Sequence, residues 1–86
     1  MPEICRFFGI VIKMFWDDHN PPHFHAIYAD EEALIDITSL APFAGRLSPR
    51  ALGLVIEWAT LHQHELLDDW RRAEKQRPIE KIEPLR

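Results

Sequence analysis

The stretch HFHAIYADEEALIDIT, residues 23–38, decides the fold. Apolar and polar side chains alternate through it with the period of two that belongs to a strand half-buried on a sheet. His23 to Ala29 reads as one strand and Leu34 to Thr38 as the next, joined by the acidic tip Asp30-Glu31-Glu32-Ala33. A four-residue loop sets Tyr28 opposite Ile35, Ala26 opposite Ile37 and Ile27 opposite Asp36. One face then carries Phe24, Ala26, Tyr28, Ile35 and Ile37, all apolar, and the other His23, His25, Ile27, Leu34, Asp36 and Thr38. A three-residue loop would put Asp36 beside Phe24 and Tyr28, burying a charge, so the longer loop is preferred.

Working toward the N-terminus, Asp17 to Pro22 (DDHNPP) is a rigid corner, because Pro21 and Pro22 lack N–H donors. Before it, Ile4 to Phe8 and Ile10 to Trp16 are rich in β-branched and aromatic residues and read as two strands, or one long strand bent at Gly9. Working toward the C-terminus, Leu40 to Leu47 reads as a loop. Ser48-Pro49 then starts a helix, with the serine as N-cap oxygen and the proline at the first helical position. Leu52, Val55, Ile56, Ala59, Leu66, Trp70 and Ala73 recur at helical spacing. An unbroken helix of roughly 27 residues would reach about 40 Å, whereas a domain of this size has a radius of gyration of only about 12 Å. The helix therefore breaks near Leu61 to Glu65, or its distal end projects and takes a partner. Pro78 ends it, and Ile79 to Leu85 suits a short edge strand. The expected architecture is α+β: a small antiparallel sheet of four strands, or five with the C-terminal one, covered on one face by a long C-terminal helix or a broken helix pair. One domain spans 1–86, with strands in 1–38, helix in 48–76 and the edge strand in 79–85.

Composition narrows the function. The 86 residues are 47% hydrophobic and 28% charged, as in ordinary soluble domains. The net charge of -4 disfavours RNA as a partner without removing local basic patches. A domain this small gains from pairing, with itself as a homodimer or with another chain. A single cysteine, Cys5, excludes a disulfide framework and fits a reducing cytoplasm. No apolar run approaches the ~18 residues of a membrane span, and Met1 to Arg6 has no secretory pattern, so a cytoplasmic protein without a membrane is expected.

Through MPEICRFFGIVIKMFWDDHNPPHFHAIYADEEALIDI, LSPRALGLVIEWATLHQHELLDDW and the tail IEKIEPL, the chain resembles domain-of-unknown-function family 4160, small bacterial proteins. The segment HNPPHFHA is the most specific part of the match. The resemblance implies no established activity. It does imply a toxin–antitoxin-like gene context, in which the neighbour is a small protein of domain-of-unknown-function family 2442. Relatives tend to have glycine at the tip occupied here by Asp30-Glu31, and a polar turn where this chain has Ser39 to Phe43. A charged residue is common in them at the Ile27 position, on the side assigned to His25.

The chemistry candidates are histidines. His23 and His25, two apart on a strand, project from one face, away from the hydrophobic interior and toward solvent, with Asp36 diagonally across the neighbouring strand. Two imidazoles and a carboxylate could hold zinc or another divalent metal, with His19 as a further ligand. Alternatively the imidazoles hydrogen-bond the Asn20-Pro21-Pro22 corner and fix it. His25 could also serve as general acid or base, oriented by Asp36. Cleavage of RNA would need a cation as well, and Arg6, Lys13 and Arg46 are the only ones in the strand half. His62 and His64 point about 200° apart on a helix and cannot chelate together. His62 and Glu65 have the spacing of a helix-face pair. Cys5 reads as packing.

Trp16, Phe43, Trp58 and Trp70 read mostly as core. On a projecting helix, Trp70 with Arg71 and Arg72 would anchor an interface. The cations Arg71, Arg72, Lys75 and Arg77 also suit a helix C-terminus. The expected function is protein interaction within a toxin–antitoxin-like pair, with a ribonuclease-type or metal-dependent hydrolytic toxin using the His23/His25/Asp36 face as the alternative.

Overall fold

The computed structural model describes residues 3–86. Five antiparallel strands, β1 (Glu3–Phe7), β2 (Ile10–Lys13), β3 (His23–Tyr28), β4 (Glu31–Asp36) and β5 (Pro42–Gly45), form an open sheet in chain order. Two helices follow, α1 (Pro49–Leu61) and α2 (Gln63–Glu74). The fold is α+β, with helices on one face of an antiparallel sheet.

Gly9 turns the first hairpin as its backbone freedom allows. Phe8 and Gly9 take φ of 50° and 81°, the two positive angles that a two-residue turn between twisted strands requires. The strands accordingly pair Phe7 with Ile10.

The β3–β4 hairpin keeps the expected faces and changes the expected register. Phe24 pairs with Ile35, Ala26 with Ala33 and Tyr28 with Glu31, so the turn is Ala29-Asp30 rather than residues 30–33. The shift relative to the expected pairing is even, so no side chain changes sides. Phe24, Ala26, Ala33, Ile35 and Ile37 are buried, and Tyr28 is half-buried.

Residues 42–45 are a strand where a loop was expected. Leu40 takes a φ of 57° to reverse the chain, and the Asp36 N–H donates to the Ala41 carbonyl at 3.0 Å. Pro42 opens the strand, a position where its missing N–H is tolerated. Residues 77–86 form no strand; their link to the sheet is the Ile82 N–H, which donates to the Ile4 carbonyl at 2.9 Å.

The helix breaks at His62, inside the expected interval. Its N–H is shared between the Trp58 and Ala59 carbonyls, both at 3.2 Å. Next to the break, Gln63 Nε2 donates to the Ile37 carbonyl at 2.7 Å and to that of Thr38 at 3.2 Å, tying the junction to the residues just beyond β4. Pro49 stands at the start of α1 as expected, but the Ser48 side chain makes no cap bond; instead the Ser48 N–H donates to Glu31 Oε1 at 2.8 Å. Ala51, Val55, Trp58 and Ala59 of α1 and Leu66, Trp70 and Ala73 of α2 face the core. Of the four large aromatics read mostly as core, Trp58 and Trp70 are buried and Trp16 and Phe43 are exposed. No helix among the described residues is long and apolar enough to cross a membrane.

Candidate functional site

The corner and the start of β3 bring three donor atoms together. His23 Nε2 lies 3.2 Å and His25 Nε2 2.9 Å from the same oxygen, Asp18 Oδ2. All three atoms lie within 4.8 Å of one another. Strand alternation puts both imidazoles on one side of β3, and the reversal of the chain through Asn20-Pro21-Pro22 carries Asp18 back over them.

The other ring nitrogens are held. A carbonyl can only accept, so His23 Nδ1 donates to the Pro21 carbonyl at 2.7 Å. His25 Nδ1 lies 2.8 Å from the Glu32 carboxylate, Glu32 lying opposite Ile27 on β4, so this ring sits between two carboxylates. Aromatic rings complete the walls. Phe15 meets the His25 ring edge-on with centroids 4.7 Å apart, and His23 lies 5.4 Å from Phe43 and 5.3 Å from Trp70.

This geometry corrects several expectations. The carboxylate that joins the imidazoles is Asp18, not Asp36. Asp36 does pair with His23 across the strands, but its Oδ1 accepts the Thr38 and Ser39 N–H groups at 2.7 and 3.0 Å and holds the turn after β4. His19 is exposed and outside the cluster. The imidazoles do not open to solvent: His23 is 5% exposed and the His25 side chain 12%, because the corner, β5 and α2 close around them. The corner-fixing hydrogen bond is present, through His23 and Pro21.

Trp70 does not project as the interface expectation required. With the helix broken at His62, α2 lies against the sheet, and Trp70 is 3% exposed. Arg71 pairs with Asp68 on the surface at 3.4 Å, and Arg72 with the buried Asp69 at 2.8 Å. Asp69 Oδ1 also accepts the Glu80 N–H, fastening the C-terminal segment to α2. Burial pushes the Asp69 carboxyl above its ordinary value, outweighing the Glu80 N–H and the Arg72 guanidinium, which act the other way. Burial likewise pushes the Cys5 thiol up, away from the thiolate a nucleophile needs. Glu65 accepts from His62 Nδ1 at 2.6 Å, the helix-face pair the spacing implied.

Asp18 escaped the sequence reading although it stands in the quoted corner. Asp17 and Asp18 are adjacent acids in a turn, and only the folded path of the corner shows that Asp18 is the half-buried one.

Fold and site together define a small α+β protein with an aspartate–histidine–histidine cluster packed at one corner of an open sheet. Within that class, the chain belongs to the family described as Domain of unknown function (DUF4160), which matches residues 9–71. Comparison with curated proteins and with solved structures finds no match.

Proposed function

We propose that this protein acts by binding another protein, as the interaction half of a toxin–antitoxin-like pair, through the free edge of β5. One observation carries the reading, the inequality of the two sheet edges. The β1 edge receives the C-terminal segment through Ile82, whereas all four residues of β5 are exposed, among them Phe43 at 47%. An open edge strand pairs readily with an added strand, and an aromatic side chain on it supplies an anchor. The partner expected from the resemblance is the small neighbouring protein of family 2442.

Co-expression with that neighbour tests the proposal. The two proteins should purify together in fixed ratio, and Phe43→Glu should lose the neighbour while keeping the parent's circular dichroism. Separate elution of the parent and its neighbour, or full retention by Phe43→Glu, would overturn it.

A second reading is favoured by the convergence of two imidazoles on one carboxylate: a hydrolytic or ribonuclease-type toxin in which Asp18 takes the orienting role expected of Asp36. Growth assays separate the two. A hydrolytic toxin arrests growth when produced alone and loses that effect in His25→Ala, whereas a binding protein gives no arrest that depends on His25.

A further inference from the structure

We propose that Asp18, His23 and His25 form a binding site for one divalent first-row transition-metal ion, with zinc as the reference ion. The inference stands apart from the choice between partner binding and hydrolysis. It rests on what each ring nitrogen faces. His23 Nδ1 carries a hydrogen because the Pro21 carbonyl only accepts, and His25, set between two carboxylates, can carry its own on Nδ1 toward Glu32. In a neutral imidazole the lone pair is then on Nε2, and both Nε2 atoms face Asp18 Oδ2. With both rings protonated on Nδ1, three electron-pair donors converge on one small volume, and a cation there joins them. A single metal ion does it with both rings neutral.

The supporting contacts are those a metal site needs. Metal-bound histidines generally donate the other ring N–H to a carbonyl or carboxylate, which fixes the tautomer and aims the lone pair. Here Pro21 serves His23 and Glu32 serves His25. Spacing agrees. Donors about 2.1 Å from one ion are about 3.0 Å apart when cis in an octahedron and about 3.4 Å apart in a tetrahedron, against the observed 2.9 and 3.2 Å to Asp18. Two imidazoles among three donors favour a transition metal over magnesium or calcium, which take oxygen. Phe15, Phe43 and Trp70 keep the imidazoles from turning away. Asp18, with a quarter of its side chain exposed, marks the side from which the ion enters and where water completes the coordination.

Metal-free, full-length protein titrated with zinc chloride should take up one equivalent by calorimetry, and its unfolding midpoint should rise as zinc is added. Cobalt(II) should bind competitively with visible d–d absorption, and a large excess of magnesium should not displace either ion. Asp18→Asn preserves shape on the exposed side of the cluster and should weaken zinc binding by about tenfold or more; His19→Ala should bind as the parent does. Because His23 is buried and its replacement can unfold the chain, Asp18→Asn and His25→Gln carry the test, each first shown to keep the parent's circular dichroism. Nitrogen-15 spectra of the zinc-saturated protein should show protons on both Nδ1 atoms. No saturable uptake of one equivalent, unchanged affinity in both folded variants, or protons on Nε2 in the zinc-saturated protein would overturn the proposal.

Discussion

Ala29 occupies the first position of the β3–β4 turn with a φ of 55°, in the left-handed region where a Cβ is penalised. Glycine carries no such penalty, so Ala29→Gly should stabilise the fold by about 1 kcal/mol, raising the thermal midpoint by roughly 4 to 8 °C for a domain of this size. A lower midpoint would show that the turn draws on contacts of the alanine methyl. The residue scale also holds a pH effect. Asp69 has a folded-state pKa raised above the ordinary 3.8 by burial, so the folded chain holds this proton more tightly than the unfolded one. Its contribution is therefore fully present below pH 3.8 and is lost as the pH rises through the folded value. Asp69→Asn removes that dependence. The midpoint of the variant relative to the parent should improve as the pH rises above 4, and a constant difference from pH 4 to pH 7 would refute the assignment.

Elements here owe their ends to contacts as much as to local preference. Gly45 ends β5 with a φ of 72°, and a Cβ at that position would collide with the Glu32 carbonyl oxygen. That oxygen accepts the Arg46 N–H at 2.9 Å, the bond that closes β5 onto β4. Gly45→Ala should therefore cost more than the roughly 1 kcal/mol of the backbone angle alone, and hydrogen exchange should show the Arg46 amide losing protection before the amides of β3. Equal protection in parent and variant would argue against the collision. The break between α1 and α2 shows the same dependence. The segment from Leu54 to Arg77 contains neither glycine nor proline, so propensity alone permits a continuous helix. Gln63 instead anchors the junction to the carbonyls of Ile37 and Thr38, just beyond β4, and α2 turns back over the sheet.

At the scale of the molecule, a radius of gyration of 11.6 Å leaves little interior, and the irregular C-terminal segment supplies part of it. Ile82 is buried, Trp58 Nε1 donates to the Glu83 carbonyl at 2.8 Å, and Trp16 Nε1 donates to the Arg77 carbonyl at the same distance. Residues 77–86 thereby close the β1 edge and cap the central tryptophan. Ile82→Ala should destabilise the protein by about 2 to 5 kcal/mol, a large share of the roughly 5 to 15 kcal/mol typical of a whole domain. Tryptophan fluorescence should shift to the red as the segment loosens around Trp58. An unchanged midpoint and spectrum would mean that this segment only lies on the surface.

The amino-acid sequence by itself determined the α+β class, which side chains of β3 and β4 face the core, and the apolar stripe of the helices. Those features follow from the two-residue and 3.6-residue periods, which every side chain obeys wherever the chain is placed. The β3–β4 register was not legible, because Ala29-Asp30 contains no glycine to announce a two-residue turn. Nor was β5, whose proline and glycine read as loop signals until β4 lies beside them. His23 and His25 were legible as a pair through their spacing. Their carboxylate was not, since Asp18 reaches them only by the path of the corner, while Asp36, the nearer choice by register, is held by the turn after β4. Tertiary structure alone decided the closure of the imidazoles and of Trp70, because burial depends on which elements meet, and here the helix break at His62 brings α2 against the corner.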